Sequence, residues 1–140
     1  MMRQEWRYAR PAEFPFPAAP AADRRTPEIL DAGWYYDGGS VRVVFVDKEG
    51  RTTTCCFDHR RNTDTPGRLY IGDSPTAPGS RPALVDEERV ILAQLRTAVR
   101  SLYPRDLRRK LLSKRYDTQV PAAEHRFWLV LRELDRRGIR

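Results

Sequence analysis

Basic side chains are concentrated in one short segment, and phosphate binding is the chemistry that such side chains could perform. Positions 105 to 115 hold six Lys or Arg residues and a single acidic residue, Asp106. Guanidinium and ammonium groups bind phosphate oxygens through charge and hydrogen bonds, and this kind of binding weakens with salt. We therefore expect the segment, with one arginine of the preceding predicted helix, to contact nucleic acid. The candidate nucleic-acid-binding residues are Arg100, Arg105, Arg108, Arg109, Lys110, Lys114 and Arg115.

The positive charge of the chain is placed unevenly. The net charge is +7, and residues 86–140 contribute +6 of it, from 14 basic and 8 acidic residues. This asymmetry indicates an anionic partner, either nucleic acid or an acidic protein surface. A plainer interpretation also fits, because nearly all of the basic residues are arginine. A composition biased towards arginine would give a charged, solvated helix face that binds nothing.

A metal site is the second kind of chemistry to consider, and its signal is weak. Asp58, His59 and Asn62 lie close together in the sequence, a combination that resembles the loop of a metal-dependent nuclease. Such a site would need a further histidine and more acidic residues in a fixed arrangement, and His125 falls on a distant predicted helix. We therefore prefer a polar loop in which His59 is hydrogen-bonded, and we expect no metal and no cofactor.

The two cysteines, Cys55 and Cys56, are adjacent in a predicted strand. Neighbouring side chains of a strand point to opposite faces, so a disulfide between them would strain the backbone. We expect two reduced cysteines, one of them inside the protein.

Residues 1–25 are rich in proline and alanine, which predicts an extended or flexible arm. Aromatic residues at the density seen there usually dock on a surface, either that of the same domain or that of a partner. The candidate partner-binding residues are Trp6, Tyr8, Phe14 and Phe16. The alternative function is accordingly a protein-binding adaptor or inhibitor, for example one encoded by a mobile element, that acts through the arm and the charged helices.

Residues 26–72 have the pattern of an antiparallel β-meander with three to four strands. Thr26, Pro27 and Glu28 resemble a helix start, which Gly33 would limit to about one turn. Turn sequences then separate short β-branched and aromatic runs. The predicted strands are residues 34–36, 41–46, 51–57 and 68–71. Apolar residues on both faces of 41–46 predict a central strand that is covered on both sides.

A loop at 73–85 precedes about three helices in residues 86–140. Asp86 is a candidate N-cap for the first, and Pro104 ends it and opens the second, which runs to about residue 116. The third is expected from Pro121 to Gly138, a candidate C′ residue. Apolar stripes at helical spacing indicate that the helices pack on the sheet. Strands followed by helices predict the α+β class.

Length and hydropathy set the remaining expectations. The chain of 140 residues suits a single α+β domain over 26–140, and the mean hydropathy of -0.69 comes without an apolar run of membrane-spanning length. We expect a cytoplasmic protein with no membrane partner. No catalytic set is apparent, so the preferred function is a small basic non-enzymatic binding module. A metal-dependent nuclease ranks third.

Overall fold

The computed structural model describes residues 26–35, 39–62, 64–113 and 125–139. Five strands come first: β1 (Glu28–Tyr35), β2 (Ser40–Val46), β3 (Thr52–Asp58), β4 (Arg68–Ile71) and β5 (Arg81–Pro82). Three helices follow: α1 (Val85–Leu102), α2 (Arg105–Leu112) and α3 (His125–Arg136).

The strands form one antiparallel meander in the order β1-β2-β3-β4-β5. The predicted α+β class is therefore confirmed. The sheet has one strand more than the upper limit of the prediction, because β5 lies inside the segment predicted to be a loop. Its two residues pair with Tyr70 and Ile71 of β4. A two-residue strand has no detectable alternation of its own, so only the pairing reveals it.

The predicted helical turn at Thr26–Glu28 is wrong, because Glu28 begins strand β1. Ile29 pairs with Phe45 of β2 and is buried, so pairing and burial override the local N-cap signal. A β-bulge between Ile29 and Asp31 then shifts the register of the pair. The first strand is consequently much longer than the predicted 34–36.

The turn between β2 and β3 is held by Asp47. Its Oδ1 accepts the backbone N–H groups of Glu49 at 3.0 Å and Arg51 at 2.9 Å. Gly50 has a φ of 80°, in the left-handed region that favours glycine. Burial opposes ionisation of Asp47, but the backbone N–H groups and the guanidinium of Arg51 lower its pKa overall.

The core lies between one face of the sheet and the helices. From the sheet come Ile29, Ala32, Val41, Val43, Phe45, Cys55, Phe57 and Leu69. From the helices come Ile91, Leu92, Leu95, Ala98, Val99, Trp128, Leu129, Val130, Leu131 and Leu134. On the opposite face of the sheet Val44 of β2 and Cys56 of β3 are also buried, while Arg42 and Val46 are half-buried. Strand β2 is therefore covered on its second side at least partly, as predicted. Both cysteines are free and buried, which corrects the expectation that only one would lie inside.

Helix α1 begins at Val85 rather than after Asp86. The residue before it is Leu84, whose backbone N–H is accepted by Oε1 of Glu87 at 2.9 Å. Glu87 also binds both terminal nitrogens of Arg81 at 2.7 Å. These contacts, the bond to Arg81 first, lower the pKa of Glu87 to about 2. The carboxylate of Glu87 in the first turn thus caps the start of α1, which is the role that was predicted for Asp86.

Helix α3 ends in a Schellman motif at the glycine that the sequence predicted. Gly138 has a φ of 72° and donates to the carbonyl of Asp135 at 2.9 Å, and Ile139 donates to that of Leu134 at 2.9 Å. The predicted continuation of α2 beyond 113 and the predicted start of α3 at 121 lie outside the described residues. Within the described helices, none is both long and apolar enough to cross a bilayer.

Candidate nucleic-acid interface

Four of the predicted basic residues surround one cavity of about 360 Å³, where the end of α1 meets α2 and the end of α3. We call this cavity the arginine cavity. Its lining residues are Arg100, Arg105, Arg108, Arg109, Leu112, Leu131, Asp135 and Ile139. Among the described residues of the lining, Asp135 is the one carboxylate beside four arginines, so this part of the lining is strongly positive.

The break between α1 and α2 positions these arginines. Tyr103 leaves the helix in an extended conformation, and Pro104 precedes the first turn of α2. Nη1 of Arg108 donates to the carbonyl oxygen of Tyr103 at 2.7 Å, which satisfies a backbone group at the end of α1. One guanidinium therefore links both helices and is held at the wall of the cavity.

The cavity residues of α2 share one helix face because of their spacing. Arg105, Arg108, Arg109 and Leu112 follow the i, i+3, i+4, i+7 pattern. Lys110 is exposed and does not line the cavity. Arg105 and Arg108, which their spacing places on one helix face, thus meet at the cavity, while the cavity itself depends on how α2 meets α1 and α3.

The guanidinium groups repel one another in this arrangement. Partial removal from water, followed by the positive charges of Arg96 and Arg108, lowers the pKa of Arg100. Bound anionic oxygens would offset this repulsion at Arg100. The electrostatics of the cavity thus favour an anion.

Apolar side chains form the inner part of the cavity. Leu131 of α3 is 5% exposed, and Leu112 and Ile139 are partly buried against the same core. The Schellman motif directs the chain after α3 so that Ile139 reaches this wall. Leu112 and Leu131 fall on apolar stripes at helical spacing, whereas Asp135 and Ile139 were not predicted as site residues. The four-residue spacing of Leu131 and Asp135, together with the C′ glycine, could have indicated them.

A second, shallower concavity of about 370 Å³ adjoins the arginine cavity, because Ile139 lines both. Its basic residues are Arg89 and Arg96 of α1, and Arg89 also pairs with Asp86 at 3.4 Å. Positive charge therefore continues along α1 from the cavity.

The remaining predicted site residues lie outside the described residues. They are Lys114, Arg115, Trp6, Tyr8, Phe14 and Phe16.

The loop that suggested a metal-dependent nuclease contains a buried histidine. Nε2 of His59 lies 2.6 Å from Oε1 of Glu133, and its Nδ1 lies 3.2 Å from the carbonyl oxygen of Asn62. The imidazole is 0% exposed, so a substrate cannot reach it. This matches the expected polar loop with a hydrogen-bonded histidine. Within the described part of the chain, no group of three or more His, Cys, Asp or Glu residues could hold a metal ion.

Glu133 anchors helix α3 to the sheet side of the molecule. Besides His59, it accepts the backbone N–H of Gly67 at 2.8 Å and Nε of Arg137 at 3.2 Å. Burial opposes ionisation, but the bond to His59, the N–H of Gly67 and the charge of Arg137 lower the pKa of Glu133 overall.

A groove of about 530 Å³ lies beside the first turns of α1 and has the opposite charge. Its acidic lining residues are Asp47, Glu49, Asp86 and Glu87. Close to it on α1, Val85 is 73% exposed and Val90 is 54% exposed. The two ends of α1 therefore border surfaces of different chemistry.

The chain matches no protein-family model, and neither the curated proteins nor the solved structures contain a significant match to it.

Proposed function

We propose that the protein is a non-enzymatic module that binds nucleic acid through phosphate groups at the arginine cavity. One observation carries the proposal: four arginines from two helices converge on a single concavity, where the described lining residues include one carboxylate. Arginine is well suited to this role because its planar fork of donors matches the oxygen geometry of a phosphate.

The geometry supports binding that needs little rearrangement. Arg108 is already fixed by its bond to Tyr103, so ordering it costs little entropy on binding. Arg100, Arg105 and Arg109 are exposed and have room to meet a ligand. Positive charge extends from the cavity along α1 to Arg96. A surface of this length suits an extended polyanion better than a single small anion.

A binding assay with a charge-matched control tests the proposal. The double variant Arg105→Gln/Arg109→Gln removes two exposed arginines of the cavity. The double variant Arg61→Gln/Arg68→Gln removes two exposed arginines of the β3–β4 region and lowers the net charge equally. With a labelled single-stranded oligonucleotide at low salt, fluorescence anisotropy should show a loss of about tenfold or more in affinity for the first variant. Equal losses of affinity in both variants would mean that binding depends only on the net charge of the protein. This result would overturn the arginine cavity as the binding site.

A protein partner is the second candidate, and the exposed apolar residues of α1 favour it. Val90 lines the acidic groove, and the exposed Leu84 and Val85 come directly before its first two residues on α1. This combination suits a basic partner segment with an apolar face. Partner capture should then survive nuclease treatment and should be lost in the variant Val85→Ser/Val90→Ser. Capture that nuclease abolishes, or that the variant leaves unchanged, would exclude this surface.

A further inference from the structure

The arginine cavity is charged at its rim and apolar at its base. Arg105 and Arg109 at the rim are exposed, whereas Leu131 is almost fully buried. Leu112 and Ile139 lie between these extremes and are partly buried. A ligand that fits such a cavity carries an anionic group attached to a flat or apolar group.

The size of the cavity agrees with such a ligand. Its volume of about 360 Å³ lies within the range of pockets that hold small molecules, which begins at about 300 Å³. A site that served phosphates alone would need neither this depth nor an apolar base. The arginine planes can also stack on the face of a nucleobase.

We propose that the arginine cavity accepts one unpaired nucleotide, with its phosphate at the guanidinium rim and its base against Leu112, Leu131 and Ile139. This inference rests on the proposed function and deepens it by naming the form of nucleic acid. In a duplex the bases are paired and stacked, so a base reaches the cavity only after it is flipped out at a cost. Single-stranded nucleic acid is therefore the preferred ligand.

Two comparisons on the whole chain test the inference. A labelled oligonucleotide should bind about tenfold more tightly as a single strand than as the duplex of the same sequence at the same salt, a factor equal to about 1.4 kcal/mol. Adenosine 5′-monophosphate should displace the single strand at a lower concentration than inorganic phosphate does. Equal binding of both strand forms, or equal displacement by nucleotide and phosphate, would overturn the base contact.

A matched pair of variants keeps the test specific to the cavity. Ile139→Ser changes an apolar wall residue at the end of α3, and Leu102→Ser makes a similar change at an exposed position of α1 that does not line the cavity. Ile139→Ser should reduce the preference for the single strand several-fold, and Leu102→Ser should leave it unchanged. An unchanged preference in Ile139→Ser would contradict the inference. Equal binding of single strand and duplex that still weakens with salt would refute only the base contact and leave the proposed function intact. If neither ligand shows salt-sensitive binding, both the inference and the proposed function are refuted.

Discussion

Nε2 of His59 lies 2.6 Å from Oε1 of Glu133, although the two residues are 74 positions apart, and both side chains are buried. The contact joins the β3–β4 loop to the middle of α3. On the same helix, two positions to either side of Glu133, Leu131 and Asp135 line the arginine cavity. The buried pair therefore holds in place one wall of the proposed binding site.

Replacing Glu133 should strongly destabilise the fold. Glu133→Gln leaves His59 and Arg137 facing an uncharged group in a buried setting, and breaking a buried pair in this way costs about 3 kcal/mol or more. Glu49→Gln is the control, because Glu49 pairs with Arg51 at an exposed site where the expected loss is below about 1 kcal/mol. Urea denaturation measures both. Similar losses in the two variants would contradict the structural role of Glu133.

The same network predicts a loss of stability in acid. His59, Arg137 and Arg136 face Glu133, and its pKa in the folded protein is below the value of about 4.3 expected in the unfolded chain. A lowered pKa contributes stability above the unfolded pKa, and that contribution disappears as the pH falls through the folded pKa. Asp58 adds a contribution of the same sign, because its bond to Arg60 lowers its pKa.

Urea denaturation of the wild type between about pH 6 and pH 3 should therefore show a falling free energy of unfolding. Glu133→Gln should show a shallower fall, because one of the responsible carboxylates is gone. If the free energy of unfolding falls equally steeply with pH in both proteins, groups other than Glu133 cause the acid sensitivity.

The sequence allowed most of the fold to be predicted, and the site only in part. Alternating and helical periodicity located β2, β3 and the three helices because these patterns are local. Strand β1 was misread in its first half, since Thr26 and Pro27 carry a helix-start signal that pairing with β2 overrides.

Contacts between distant residues explain what could not be predicted. The arginines of α2 could be grouped from spacing alone, but Asp135 and Ile139 join them only through the packing of α3. Glu133 could likewise not be predicted as the partner of His59, because no periodic pattern connects a loop residue with a helix residue 74 positions later.

The two cysteines should be unreactive in the folded protein. Both are buried, and burial, with a smaller effect of Cys56, raises the pKa of the Cys55 thiol far above its usual range. Because the thiolate is the reactive form, a thiol reagent such as Ellman's reagent should not label the native chain at neutral pH. Both thiols should react once the protein is unfolded in denaturant. Rapid labelling of the native chain would show that the sheet opens around β3.

The central claim is that the arginine cavity binds phosphate groups, and the salt dependence of single-strand binding tests it most directly. Each neutralised phosphate of a single strand contributes about -0.7 to the slope of log K against log salt concentration. Four arginines that each neutralise one phosphate, that of the bound nucleotide or of its neighbours in the strand, predict a slope of about -3. In Arg105→Gln/Arg109→Gln the slope should flatten by roughly one to two, whereas Arg61→Gln/Arg68→Gln should keep the slope of the wild type. A slope near zero in the wild type, or the same slope in all three proteins, would contradict the claim.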